Sequence, residues 1–226
     1  MHIKLDIIVD AMGGDNAPEQ IVKGCMDAVN TEKGFNLVIV GDEERIRAEI
    51  GKSKSVDWDR IRIIHASQTI SNTDAPIKSL KEKKDSSLVV GLNLLKEGKG
   101  DAFLSAGNTG ALMAGALLIV GRIKGVDRPA LAPVIPTLKG KTLLIDAGSN
   151  TDCRPVNFKQ FGVMGSLYIK EMFGIESPTV GLVNVGVENT KGNATIREAH
   201  RLLSETDINF EGNIEGREII EGKVDV

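Results

Sequence analysis

The stretch Ile3-Lys-Leu-Asp-Ile-Ile-Val-Asp10, which continues as Ala-Met-Gly-Gly-Asp15, decides the fold class. Its apolar residues stand at consecutive positions, as in a strand that is buried on both faces, so we predict a strand over Ile3–Asp10. The Gly-Gly turn then leads to Pro18, a residue type that favours the first turn of a helix. A buried strand that runs through a glycine loop into a helix is typical of an open, mostly parallel α/β sheet.

Further apolar runs alternate with segments of helical period along the rest of the chain, which predicts an α/β fold with helices on both faces of the sheet. We expect the other strands at Asn36–Val40, Ile61–His65, Asp101–Ser105, Leu131–Ile135, Thr142–Asp146, Thr179–Val185 and Ile208–Phe210. We expect helices at Pro18–Val29, Glu43–Ile50, Pro76–Glu97 (in one piece or two), Thr109–Val120, Asn157–Met172 and Ala194–Glu205. Asn16 and Asp74 are the expected caps of the helices that start at Pro18 and Pro76.

The composition is that of a globular protein with one core. The 226 residues are 41% hydrophobic and 26% charged, so a single α/β domain over residues 1–226 is the expectation. A net charge of −3 and an aromatic content of 4% make nucleic acid an unexpected partner. The sequence shows neither a signal-peptide pattern nor an apolar run near about 18 residues, which predicts a cytoplasmic protein. Cys25 and Cys153 lack the spacing of a disulfide framework or a zinc site.

Three short loops rich in Gly, Asn and Asp follow predicted strands, at Asp10–Asp15, Ser105–Gly110 and Asp146–Asp152. The carboxyl ends of parallel strands share one edge of a sheet, so we expect these loops to converge on a crevice with free backbone N–H groups that suits a phosphate. Gly13 and Gly14 permit a close approach of the backbone to a ligand. The first loop taken alone is equally compatible with a tight turn that only reverses the chain.

The second loop precedes an apolar helix. Ser105, Asn108 and Thr109 offer hydroxyl and amide groups, whereas Ala111–Val120 carries no polar residue. Such a helix must be buried or face an apolar group, so we expect it to pack against the sheet or a second subunit, or to line a channel for an acyl chain. Ser105 lacks the GxSxG pattern of a nucleophile elbow.

The third loop admits several interpretations. Asp146, Asn150 and Asp152 can orient an amine, bind a metal or close a hydrogen-bonded turn, and the carboxylates repel phosphate unless a cation such as Arg154 offsets them. Cys153 can form a thioester, although no histidine lies near it in sequence to lower its pKa.

A fourth loop, Gly186–Asn193, follows the strand Thr179–Val185. Lys191 is placed there to meet an anion, or to form a solvated ion pair with Glu188.

Four segments together identify a family: Asp10–Asp15, Ser105–Thr137, Leu143–Pro155 and Val180–Asn193. In this order they closely resemble the bacterial phosphate acyltransferases of phospholipid synthesis, and the resemblance runs from Met1 to Val226. The long central segment, Ser105–Thr137, is the most specific of the four.

The resemblance implies a three-layer α/β/α sandwich similar to isocitrate and isopropylmalate dehydrogenases and to phosphate acetyltransferases, in a homodimer. It implies transfer of a fatty acyl group from the thioester of acyl carrier protein to inorganic phosphate, which gives acyl phosphate. A membrane glycerol-3-phosphate acyltransferase then consumes the product. It implies no metal and no organic cofactor, and a cytoplasmic protein with peripheral membrane contact in its full-length form.

Direct attack of phosphate on a thioester needs a site that holds the anion and stabilises an oxyanion. With the resemblance, the loops predict Lys191, Asp15 and Asn108 as catalytic residues. The residues expected to bind phosphate or substrate are Gly13, Gly14, Ser105, Gly107, Thr109, Asp146, Asn150 and Asn189.

Glu221–Val226 repeats the pattern of Glu97–Phe103, which leads into the strand before the second loop. We therefore expect Val224 to begin a strand, either an edge strand or the start of a C-terminal portion that the family has and this chain lacks.

Two other functions stay open on the sequence. One is an acyl-CoA:phosphate acyltransferase of the acetyl or butyryl kind, and the other is a non-catalytic module that binds carrier protein or a partner subunit. Arg122, Lys124 and Arg128 are candidate contacts for an acidic carrier protein, or ordinary solvated charges.

Overall fold

The computed structural model describes residues 4–53 and 55–226, so Ile3 of the first predicted strand lies outside the described residues. The chain packs as two compact units, Met1–Gly121 and Arg122–Val226. Strands and helices occur in both, and four of the five strand pairings are parallel, which confirms a mostly parallel α/β fold.

The first unit contains a four-stranded parallel sheet in the order β3-β2-β1-β4. Its strands are β1 (Leu5–Asp10), β2 (Phe35–Gly41), β3 (Ile61–His65) and β4 (Ala102–Leu104). The chain proceeds outward from β1 to β3 and then returns to add β4 on the other side of β1. This reversal of direction creates a topological switch point between β1 and β4, where ligands of open α/β sheets bind.

Helices cover both faces of this sheet. They are α1 (Glu19–Thr31), α2 (Glu43–Ile50), α3 (Pro76–Glu82), α4 (Ser87–Lys96) and α5 (Thr109–Gly115), with a 3₁₀ turn at Trp58–Arg60 and a π-helical extension of α5 at Ala116–Val120. Val9 and Leu37 pack with α1 and α2 on one face, whereas Ile8 and Val38 pack with α4 on the other. The consecutive apolar residues of β1 are thus explained by burial on both sides.

The predicted helix Pro76–Glu97 is two helices, because Ser86 caps a new helix by accepting a hydrogen bond from the N–H of Val89 (3.4 Å). Both cap predictions were wrong. Asp74 binds Lys83 (2.5 Å) instead of capping α3. Pro18 itself occupies the cap position of α1, with no side-chain hydrogen bond.

Small residues let α5 approach its neighbours closely, as its composition predicted. Ala111 and Gly115 are buried, and a Cβ on Gly115 would stand 2.5 Å from Leu92. The other side of the extended helix is exposed at Leu117 and Leu118. The expectation of burial is therefore confirmed for one face only.

The second unit combines a hairpin, a parallel pair and three helices. Its elements are β5 (Val134–Thr137), β6 (Gly140–Leu143), α6 (Pro155–Phe173), β7 (Thr179–Val183), α7 (Ala194–Ser204), β8 (Asn209–Ile214) and α8 (Gly216–Ile220). β5 and β6 are antiparallel, whereas β7 and β8 are parallel. The strand predicted at Leu131–Ile135 corresponds to β5, which begins three residues later than predicted. Helix α8 was not predicted.

The segment Val224–Val226 is hydrogen-bonded to both β6 and β7. The N–H of Leu143 donates to the carbonyl of Asp225 (2.8 Å), and the N–H of Gly181 donates to that of Val226 (2.9 Å). Val226 also packs with Leu143 and Val180 in the core of this unit. The segment is therefore hydrogen-bonded on two sides, although it is not a regular strand.

Candidate functional site

The first and second loops meet at the switch point between β1 and β4. The register pairs Val9 with Leu104, so Asp10 and Ser105 follow side by side at the carboxyl ends of their strands. The hydroxyl of Ser105 donates to Oδ2 of Asp10 (2.7 Å) and accepts from the N–H of Gly107 (3.1 Å). Asp10 is only 2% exposed, so a hydrogen bond to a buried carboxylate joins the two loops.

Glycine is required where these loops touch. A Cβ on Gly13 would stand 2.5 Å from Oδ2 of Asp10 and 2.8 Å from Oγ of Ser105, and one on Gly107 would stand 3.1 Å from Cα of Gly13. Gly14 has φ +109°, a conformation that residues with a side chain rarely adopt. The backbone of the two loops therefore approaches closely around the Asp10–Ser105 hydrogen bond.

Backbone N–H groups without a partner in the described part of the chain occur at this contact. The N–H groups of Gly13 and Gly14 make no hydrogen bond to any described residue, and the same holds for Thr109 in the first turn of α5. Neutral donors of this kind bind phosphate or a developing oxyanion. The first two loops thus converge as expected. The phosphate-binding crevice at their contact stays a prediction.

Asn108 is fully occupied by the protein. Its Oδ1 accepts from the N–H of Ala111 (2.9 Å) and caps α5, while its Nδ2 lies 3.0–3.3 Å from the carbonyl oxygens of Ser71, Asn72 and Asp74. Asn108 is only 8% exposed. The side chain thus fixes the segment 71–74 against the start of α5, and its catalytic role stays a prediction.

Asp15 is exposed, and its Oδ1 accepts a hydrogen bond from Nδ2 of Asn72 (2.8 Å). It lines a cavity of about 490 Å³ together with Met12, Gly14 and Arg45. The segment 69–73 forms the remaining wall. Asp15 therefore stands at the edge of the loop contact and not inside it.

The third loop, in the second unit, is closed on itself. The carboxylate of Asp146 accepts hydrogen bonds from the backbone and side chain of both Ser149 and Asn150. Nδ2 of Asn150 also donates to the carbonyl of Pro129 (2.9 Å). Among the interpretations of this loop, the geometry favours a hydrogen-bonded turn. Substrate binding by Asp146 and Asn150 stays a prediction.

Cys153 is poorly suited to nucleophilic attack. Burial, reinforced by the negative charge of Asp146, raises the pKa of its thiol, so the reactive thiolate is scarce near neutral pH. Burial alone raises the pKa of Cys25 to about 12.

Asp146, Asn150 and Cys153 line a cavity of about 640 Å³ in the second unit, with Phe161 and Leu182 among its apolar walls.

The fourth loop is exposed, and Lys191 lies in it with its Nζ 3.9 Å from Oε1 of Glu188. The lysine side chain is half exposed, which makes this ion pair a weak one. Asn189 is exposed as well. The loop is therefore compatible with both roles predicted for Lys191, a solvated ion pair with Glu188 and a cation that binds an anion.

The sequence did not single out every residue of this site. Asp10 is not among the predicted site residues, although its position at the end of a buried strand is where ligand-binding residues of such sheets occur. Asn72 and Arg45 come from segments with no motif, so only the folded chain reveals them.

No three His, Cys, Asp or Glu side chains group as metal ligands within residues 4–53 and 55–226. In the same residues, no helix is both long enough and apolar enough to span a bilayer.

Comparison with known proteins gives the family. The profile described as "FA_synthesis: Fatty acid synthesis protein" matches residues 5–226. The chain belongs to this fatty acid synthesis protein family. Two relatives named phosphate acyltransferase agree with the match. The one from Acetivibrio thermocellus is 61% identical over 220 residues, and the one from Caldanaerobacter subterraneus subsp. tengcongensis is 53% identical over 222.

These alignments cover 97% and 98% of this chain and 65% of each relative. The chain thus spans a little under two thirds of the length of the curated relatives that it matches.

Two solved structures share the fold. The phosphotransacetylase EutD from Staphylococcus aureus gives a TM-score of 0.66 at 15% identity, over 94% of this chain and 69% of that one. A branched-chain phosphotransacylase from Enterococcus faecalis gives 0.57 at 12% identity, over 92% and 68%. At these identities the likeness concerns the fold alone.

Asn108 and Asn193 provide a matched test of the site's architecture. Both cap a helix, but only the amide of Asn108 donates to a neighbouring segment; Nδ2 of Asn193 makes no hydrogen bond to the described residues. The substitution Asn108→Asp keeps the cap and removes these donors, so we expect it to lower the free energy of unfolding by about 2 kcal/mol. Asn193→Asp should change it by less than about 0.5 kcal/mol. Urea denaturation followed by circular dichroism measures both, and equal losses would contradict the role given to Asn108.

Proposed function

We propose that the protein transfers an acyl group from a thioester to inorganic phosphate, with fatty acyl-[acyl carrier protein] as the donor. A phosphate oxygen attacks the carbonyl carbon, a C–O bond forms, and the C–S bond breaks. The sulfur of the carrier protein takes up the proton of the attacking hydrogen phosphate and leaves as a thiol, and acyl phosphate remains. Membership of the fatty acid synthesis family and the relatives named phosphate acyltransferase support this reaction.

The backbone contact at the β1/β4 switch point is the observation that carries the proposal. The N–H groups of Gly13 and Gly14 have no acceptor among the described residues, and the Asp10–Ser105 bond holds the second loop against them. Fixed dipoles of this kind stabilise charge that develops on a carbonyl oxygen or on an attacking phosphate without reorganisation during the reaction. The transfer then needs no covalent intermediate on the protein, consistent with the raised pKa of Cys153.

The other predicted residues have roles within the same proposal. Lys191 neutralises the phosphate anion, and Asp15 and Asn108 orient groups at the crevice. The phosphate or the substrate is also bound by Ser105, Gly107 and Thr109 of the second loop. Asp146, Asn150 and Asn189 contact the substrate.

The wider setting is proposed with the reaction. The fold is a three-layer α/β/α sandwich of the isocitrate and isopropylmalate dehydrogenase type, and the protein acts as a cytoplasmic homodimer. Its acyl phosphate product supplies a membrane glycerol-3-phosphate acyltransferase in phospholipid synthesis, and peripheral membrane contact belongs to the full-length form. Neither a metal nor an organic cofactor takes part.

Trapping of the product tests the reaction. The protein is incubated with palmitoyl-[acyl carrier protein], inorganic phosphate and hydroxylamine, which converts an acyl phosphate into a hydroxamate. We expect hydroxamate to form in proportion to phosphate, with one free carrier thiol per hydroxamate. Loss of the thioester without phosphate dependence would contradict the proposal.

The same assay separates the alternatives. With acetyl- or butyryl-CoA as the donor, faster phosphate-dependent release of coenzyme A than of carrier protein would favour a short-chain enzyme. Binding of acyl carrier protein without any loss of thioester would favour a non-catalytic module.

Lys191→Ala tests the cation assigned to phosphate. Loss of a charge-assisted contact should raise the KM for phosphate by roughly tenfold, with a smaller effect on the KM for the acyl donor. Lys170→Ala is the matched control, because Lys170 is also an exposed lysine in an ion pair, 2.8 Å from Glu176; its effect should stay within about twofold. Unchanged turnover of Lys191→Ala at limiting phosphate would remove Lys191 from the site.

A further inference from the structure

The cavity beside the first loop has a composition that suits one class of ligand. Its volume is about 490 Å³, and its walls come from residues 12–17, from the first turn of α2, and from residues 69–73. Met12 and Ile70, both nearly inaccessible to solvent, give it an apolar part. Arg45 is its only cationic lining residue in the described chain.

The charge of Arg45 is not compensated by its neighbours. Its backbone N–H donates to Oδ1 of Asp42 (3.1 Å), but its guanidinium forms no ion pair or hydrogen bond with the described residues. Two carboxylates of the same helix have other partners: Glu43 binds Arg47 (2.8 Å), and Glu49 binds Lys52 (2.7 Å). Arginine presents a planar set of donors that matches the oxygens of a phosphate ester.

One carboxylate also lines the cavity. Asp15 accepts a hydrogen bond from Asn72 through Oδ1 (2.8 Å), and its other oxygen has no partner among the described residues. An acceptor on one wall, a cation on another and an apolar part favour an extended ligand. Such a ligand has an anionic end and an uncharged body that carries hydrogen-bond donors.

The cavity continues the crevice along the edge of the sheet. Gly14 belongs both to the loop contact and to the lining of the cavity. The switch point lies on the side of β1 that pairs with β4, whereas Arg45 follows β2, which pairs with the other side of β1. Neighbouring strands are about 4.8 Å apart, so a ligand that extends over about two strand spacings, roughly 10 Å, joins the two places.

We propose that Arg45 binds the phosphate ester of the phosphopantetheine arm that carries the acyl thioester. The amides of the arm then lie along the cavity, and the thioester reaches the N–H groups of Gly13 and Gly14. This inference rests on the proposed function, whose donor is a thioester of acyl carrier protein. It makes Arg45 a binding residue for the donor and not for inorganic phosphate.

Calorimetric titration with two probes tests the proposal. We expect 4′-phosphopantetheine to bind the wild-type protein about tenfold more tightly than pantetheine, since a charge-assisted contact to the phosphate is lost with the latter. Arg45→Ala should abolish this preference by weakening only the phosphorylated probe. Arg45→Lys should retain part of it, because lysine keeps the charge without the planar set of donors.

Arg47→Ala is the matched control. Arg47 lies two residues further along α2, is paired with Glu43, and packs over Trp58 at 5.8 Å. This variant should keep the tenfold preference. No preference in the wild-type protein, no binding of either probe, or a preference that survives in Arg45→Ala would overturn the proposal. Since Arg45 is exposed, melting curves of the variants should match that of the wild type.

Two sources of the ester are distinguished by kinetics. If Arg45 binds the arm while it is attached to acyl carrier protein, Arg45→Ala raises the KM for acyl carrier protein and leaves the KM for phosphate unchanged. If coenzyme A is the source, the same shift appears with acyl-CoA and not with acyl carrier protein. Selective probe binding without any turnover would defeat the proposed reaction and leave the Arg45 site standing, whereas turnover with an unchanged donor KM in Arg45→Ala would defeat the Arg45 site alone.

Discussion

The hydrogen bond between Ser105 and the buried carboxylate of Asp10 is the interaction on which the rest of the site depends. A carboxylate removed from water must be hydrogen-bonded, and the partners of Asp10 are the Ser105 hydroxyl and the N–H of Met12 (3.2 Å). Since both partners lie in the loops that follow β1 and β4, satisfying the carboxylate also fixes the loops to each other. The remaining space beside it accommodates only glycine at position 13.

This contact is supported from the outside by the segment 71–74. Asn108 holds that segment through three carbonyl groups, and Asn72 of the segment donates to Asp15. The start of α5, the first loop and the segment before α3 therefore form one hydrogen-bonded group. Its components come from three places in the chain, yet all lie at the carboxyl edge of the same parallel sheet, where the direction of strand addition reverses.

Local patterns in the sequence predicted the parts of the fold that depend on burial alone. The strand Ile61–His65 has the predicted bounds, and α5 with its π-helical extension spans the predicted Thr109–Val120. The convergence of the first two loops followed from strand direction. β8 extends beyond the predicted end at Phe210 because Gly212, Asn213 and Ile214 pair with β7. A search for apolar runs does not detect pairing that includes a glycine and an asparagine.

The rest of the site depends on contacts between residues distant in sequence. The cap prediction for Asp74 failed because its carboxylate forms an ion pair with Lys83, nine residues away, which local propensity does not reveal. Asn72 and Arg45 carry no motif, and their importance comes from what lies opposite them in the folded chain. For Asp146 the sequence left several roles open, and the hydrogen bonds within its own loop favour one of them.

The central claim is that inorganic phosphate binds to the backbone of the first two loops. An NMR titration of the ¹⁵N-labelled protein with phosphate tests it most directly, with sodium chloride at equal ionic strength as the control. The account predicts saturable, phosphate-specific shifts that are largest for the amides of Gly13, Gly14, Gly107 and Thr109. Saturable shifts confined to other amides, with these four unaffected, would contradict it.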